Sequence, residues 1–148
     1  MISATDSNIE ILKVVLGKTF RLYVQTHSYH WNVEGHQFFR LHKIFEEQYT
    51  NLWETLDELA ERIRALGAFA PGSVADFMAL AGGSEAASAQ SADDMVNKLI
   101  DEHNELAEIL RNAIQISENA EDDVSAGILT DRLTWHEKTI WMLKAGQS

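Results

Sequence analysis

The chain has 148 residues, 45% of them apolar and 24% charged, which suits one soluble globular domain over residues 1–148 with a core of its own. It contains no Cys, so disulfides and thiolate metal sites are excluded, and a reducing compartment fits. Its net charge of −11, with no Lys or Arg in the first twelve residues and one Lys in the closing LKAGQS, argues against nucleic acid as a direct partner and for a surface that draws in cations.

Helical periodicity dominates the chain. From Leu12, the residues Val15, Leu16, Thr19, Leu22, Tyr23 and Thr26 recur at three and four, predicting a helix to about Asn32. Gly35 marks a turn. Leu41, Phe45, Leu52, Leu56, Leu59, Ile63 and Leu66 then form the stripe of a second helix, with Gly67 as its C-terminal stop. Gly67 to Ser91 is rich in Ala, Gly and Ser and holds the only proline, Pro71. It is too long for a plain loop, and Val74 to Leu80 is predicted as a short helix within it. A third long helix starts near Ser91 or Ala92 and turns Met95, Leu99, Leu106, Leu110 and Ala113 inward. The acidic run Glu118, Glu121, Asp122 and Asp123 separates it from a fourth, whose stripe is Leu129, Leu133, Ile140 and Leu143. There are no repeats and no strand pattern. A short first turn and a long connection between the second and third long helices describe an all-α, ferritin-like four-helix bundle with one crossover. The N-terminal MISATDSNIEILKVVLG lacks the features of a secretory signal, and no apolar run could span a bilayer, so the expected location is the cytoplasm, with no membrane partner.

The chemistry concentrates in HWNVEGHQFFRLHKIFEEQYTNLWETLDELAER. His30, His42, Glu46, Asp57 and Glu61 offer two imidazoles and three carboxylates, a donor set suited to a pair of iron ions. Zinc could compete for the same groups. His30 falls on the apolar stripe of the first helix. His42 and Glu46 are an i, i+4 pair on the second helix, and Asp57 and Glu61 are another. Both pairs lie off the main stripe, on a flank that also carries Tyr49, Trp53 and Ala60. His42 and Asp57 are fifteen residues apart, about 22 Å along a helix, and no rotamer closes that gap. A second copy of the helix, packed antiparallel across a two-fold axis, would bring the two ends together and give each dimer two equivalent sites.

Taken singly, a His on an apolar stripe is most often structural and a helix-surface acid is most often solvated; the joint pattern is what singles out these five. His136, on the inward stripe of the last helix, is assigned a structural role. His27, His36 and His103 lack matched carboxylates and are taken as surface or accessory residues. The acidic run is a favourable helix N-terminus, or could line a cation entry channel. The residues three before each histidine are Val24, His27, Val33, Phe39, Ile100 and Leu133, so the Glu-x-x-His pairs of an intrasubunit di-iron centre are absent.

Across essentially its whole length the sequence resembles the Dps family of mini-ferritins, named for DNA protection during starvation. The resemblance rests on His30-Trp31-Asn32-Val33, Gly35, Phe38, Leu41-His42, Phe45-Glu46, Tyr49, Asp57, Ala60-Glu61-Arg62, Leu66-Gly67 and the final HEKTIWMLKA, His136 to Ala145. It implies a hollow homododecamer built from two-fold dimers, with ferroxidase centres at the two-fold interfaces. There His30, His42 and Glu46 of one chain would face Asp57 and Glu61 of the next. It implies oxidation of Fe(II) by hydrogen peroxide, or by dioxygen, and storage of the ferric product in the cavity. Trp31 resembles the Trp beside the centre that intercepts oxidising equivalents, although a packed aromatic would read the same way. Family members often carry Asp where Glu46 stands. The basic tail of the DNA-binding members is missing. Gly127 replaces an Asp that many members place in the pore, leaving Glu121, Asp122, Asp123 and Asp131 as pore candidates. The competing expectations are a DNA-compacting stress protein without significant ferroxidase activity and a helical interaction module with an inert site.

Overall fold

In a computed structural model that describes residues 2–82 and 91–147, every element is a helix. They are α1 (Ala4–Asn32), α2 (Phe38–Ala65), α3 (Val74–Ala81), α4 (Ala92–Asn119) and α5 (Asp123–Ala145). The four long helices match the expected bundle, and α3 lies in the connection where a short helix is predicted. Part of that connection, residues 83–90, lies outside the described residues. None of the described helices is long and apolar enough to cross a membrane.

Three helix starts share one local code. Ser3, Ser73 and Ser91 each accept, through Oγ, a hydrogen bond from the backbone N–H of an Asp three residues on: Asp6, Asp76 and Asp94. Each cap satisfies an orphan donor and puts a negative charge in the first turn. The Ser3 cap explains why α1 begins at Ala4 rather than near the predicted Leu12: capping starts the helix before its apolar stripe does. Gly35 (φ 106°) and Gly67 (φ 96°) adopt the left-handed conformation that a tight turn and a helix stop require.

α1 and α2 form one antiparallel hairpin, α4 and α5 another, and α1 also packs on α4. Their facing stripes, including Leu12, Leu16, Phe45, Leu52, Leu59, Met95, Leu99, Leu110 and Leu129, are buried with almost no residual exposure. Leu133, expected inward, is only half-buried. α3 lies on α1, with Phe20 and Phe77 stacked at 4.6 Å. Gly17 permits that approach: a Cβ there would lie 2.6 Å from Leu80 Cβ and 3.0 Å from the Phe77 carbonyl oxygen. Gly17→Ala is therefore expected to destabilise the protein by about 1–3 kcal/mol through overpacking, despite the better helix propensity of Ala. Chemical denaturation checks this, and unchanged or raised stability would contradict the packing argument.

A polar clamp joins all four long helices at the α4–α5 turn. Asp122 accepts from Arg62 Nη2 (2.7 Å), Asn8 Nδ2 (2.8 Å), Ser125 Oγ (2.6 Å) and Ser125 N (3.0 Å). Ser117 Oγ donates to Asn8 Oδ1 (2.6 Å), and Arg62 Nε donates to Ser125 Oγ (2.9 Å). Burial alone would push the Asp122 carboxyl up. The Ser125 side-chain and backbone bonds, the Asn8 bond and the Arg62 charge outweigh it and hold the carboxyl below its ordinary 3.8. This clamp sets the register of α2, and hence the height at which Asp57 and Glu61 stand.

Candidate metal centre

The turn between α1 and α2 brings His30, in the last turn of α1, against His42, near the start of α2. The two rings stack with centroids 3.8 Å apart and planes 14° apart. His30 Nδ1 lies 2.7 Å from the His42 carbonyl oxygen, and His42 Nδ1 lies 2.7 Å from the His30 carbonyl oxygen. A carbonyl can only accept, so each Nδ1 must carry its proton and donate it. In the neutral imidazole the lone pair is then on Nε2 of both rings. This is how outer hydrogen bonds orient metal-binding histidines. His30 is 7% exposed, His42 is half-buried, and Glu46 stands exposed one turn beyond.

Asp57 and Glu61 are also exposed, one turn apart near the other end of α2. The fold thus gathers His30, His42 and Glu46 at one end of the hairpin and leaves Asp57 with Glu61 far from them. Among the described residues, no three His, Asp or Glu side chains of one chain converge closely enough to hold a metal ion.

An aromatic bed borders the histidines. His27 stacks on Tyr49 (3.9 Å, 12°) and lies 4.1 Å from Trp31, whose indole is 65% exposed. Tyr49 meets His30 edge-on at 5.2 Å, and Tyr23 lies 5.3 Å from Trp53. The Tyr23 hydroxyl is 3.1 Å from His27 Nδ1. Burial, and then the neighbouring His30, lower the pKa of His27. Burial first, then Glu46 and Tyr23, raise that of the Tyr49 phenol. His27, read from sequence as surface or accessory, is part of this bed. The signal was present in its i, i+4 spacing to both Tyr23 and Trp31.

His36 is exposed, but His103 is not a surface residue. It is fully buried, its Nδ1 2.8 Å from Nδ1 of the equally buried His136. Helices α4 and α5 turn these two rings toward each other in the core, a pairing that single-helix periodicity could not reveal.

Residues 9–146 match the family model of the ferritin-like domain. The chain is 33% identical over 137 residues to DNA protection during starvation protein 2 of Bacillus anthracis, covering 93% of this chain and 94% of that one. A Dps protein from Bacillus brevis superposes with a TM-score of 0.94 at 32% identity, covering 98% and 97% of the two chains. Dps of Vibrio cholerae O1, described as a member of a broad superfamily of ferritin-like diiron-carboxylate proteins, superposes with a TM-score of 0.91 at 30% identity, covering 96% and 89%. The fold and these likenesses define a ferritin-like protein. Within that class, the chain belongs to the Dps family.

Proposed function

We propose that this protein oxidises Fe(II) at di-iron sites shared between subunits and stores the ferric product inside a hollow homo-oligomeric shell, a dodecamer of two-fold dimers in the cytoplasm. The observation that carries this reading is the His30–His42 pair: two stacked imidazoles tied by Nδ1 to each other's backbone carbonyls, with Glu46 one turn away. Three donors at one end of α2 and two at the other make half a site at each end. Family membership supports iron as the substrate, as does a donor set of imidazole and carboxylate without thiolate.

In the assembled site, Nε2 of His30 and of His42 would bind Fe(II) as neutral donors, and Glu46 with the partner's Asp57 and Glu61 would supply the negative charge. Carboxylates favour Fe(III) over Fe(II), so the same groups that draw the substrate in also pull its oxidation forward. Two neighbouring Fe(II) match a two-electron oxidant, because hydrogen peroxide takes one electron from each and leaves as water without releasing hydroxyl radical. Dioxygen is the alternative oxidant. Trp31, exposed and 4.1 Å from His27, would intercept a stray one-electron equivalent. A DNA-compacting role is the weaker reading, given the net charge of −11.

Anaerobic Fe(II) oxidation by stoichiometric peroxide tests the proposal. The wild type is expected to consume about two Fe(II) per peroxide. Asp57→Ala is expected to slow the reaction by roughly 100-fold or more, since loss even of a ligand's outer partners costs about 10–100-fold. Wild-type oxidation no faster than buffer would overturn the ferroxidase reading.

A further inference from the structure

Halfway along the bundle the core stops being apolar. His103 of α4 and Arg132 and His136 of α5 are 0%, 7% and 1% exposed. The Arg132 guanidinium lies over the Trp135 ring at 4.6 Å, which engages its face and not its N–H groups. Arg132 Nε and Nη2, His103 Nε2 and Asn51 Oδ1 are all closed to solvent and have no hydrogen-bond partner in the protein. Gln48 Oε1, about one turn from Asn51 on α2, is in the same state.

The helix register places these atoms at neighbouring heights in the bundle. Arg62 bonds Ser125 at one end of the α2–α5 seam, and Arg40 bonds the Gly146 carbonyl at the other. That antiparallel register sets Asn51 opposite His136 and Thr55 opposite Arg132. The His103–His136 contact brings α4 in at the same height. An orphaned buried polar atom costs about 1–3 kcal/mol, more if charged, and the whole stability of a domain is only about 5–15 kcal/mol. Something must satisfy this layer.

We propose that it is an internal water site, with one or more ordered waters bridging Arg132 Nε and Nη2 to Asn51 Oδ1 and His103 Nε2. The lining decides among the possible occupants. A halide would suit the Arg132 donors but would sit against the Asn51 oxygen. A divalent cation would be repelled by Arg132 and would lack a carboxylate cluster. Water alone both accepts from Arg132 and donates to Asn51, and native proteins carry roughly one buried water per 27 residues. It also selects a tautomer: with the proton on His103 Nδ1, donated to His136 Nδ1, His103 Nε2 is left as an acceptor for water. Burial lowers the His103 pKa to about 3 and, with the neighbouring His103 and Arg132, lowers that of His136 well below 6.5, so both rings stay neutral. A cavity of about 190 Å³ opens between α2 and α5 nearby, beside Gln48, Trp135 and Thr139.

This inference is independent of the ferroxidase reading. A high-resolution crystal structure tests it, with companion crystals soaked in bromide and in zinc. The expected result is a water oxygen within hydrogen-bond distance of Arg132 and of Asn51 or His103 in every subunit, with no anomalous peak in the layer from either soak. A bromide peak, a zinc peak, or a dry layer closed by a direct Arg132–Asn51 bond would each overturn it.

Discussion

Subunits carrying His30→Ala, inactive alone, are expected to regain activity when assembled at random with subunits carrying Asp57→Ala. In the proposed two-fold dimer each site takes His30, His42 and Glu46 from one chain and Asp57 and Glu61 from the other. A mixed dimer then has one site that lost both residues and one that lost neither. Random pairing makes about half of the dimers mixed, so about a quarter of the wild-type sites are intact. Peroxide-driven Fe(II) oxidation by the co-assembled protein should therefore recover to about a quarter of the wild-type rate, while each variant alone stays near background. The physical basis is the separation of about 22 Å along α2, which one chain cannot close. If the mixture is as inactive as its parents, although both assemble, the inter-subunit site is wrong.

The largest single loss of stability away from the candidate donors is expected at Asp122. Asp122→Ala removes the acceptor of four hydrogen bonds and strands the Arg62 guanidinium, whose side chain is 18% exposed. Breaking a buried ion pair from one side costs about 3–5 kcal/mol, and residual access of Arg62 to water favours the lower end, about 3 kcal/mol. For a chain of this size that lowers Tm by roughly 6–12 °C. The pH dependence gives a second readout. The Asp122 carboxyl is held below its unfolded value of 3.8, so its contribution is complete above that pH and is lost as the pH falls through the lower folded value. The wild type should therefore lose stability on acidification below about pH 4 more steeply than Asp122→Ala. Parallel acid profiles for the two proteins would remove Asp122 from the account.

The long helices were legible because each carries its own instructions. Periodic apolar residues mark the buried stripes and Gly67 marks a stop, both set by neighbours within a turn or two, whereas the equally local Ser-x-x-Asp caps of α1, α3 and α4 emerged only with the structure. The same local geometry made Asp57 and Glu61 readable as a pair and kept them apart from His42, since rise per residue is a property of the helix alone. What depends on two helices meeting was not legible. The stacking of His30 on His42, with each Nδ1 turned to the other's carbonyl, follows from the α1–α2 turn. The burial of His103 against His136 follows from the register of α4 on α5, and the place of His27 follows from Tyr49 reaching over from α2. Sequence by itself determined which residues are candidate donors and that one helix could not gather them. Tertiary structure decided which ring nitrogen holds each lone pair and which polar groups the core had to enclose, because tautomer and burial are set by atoms distant in the chain.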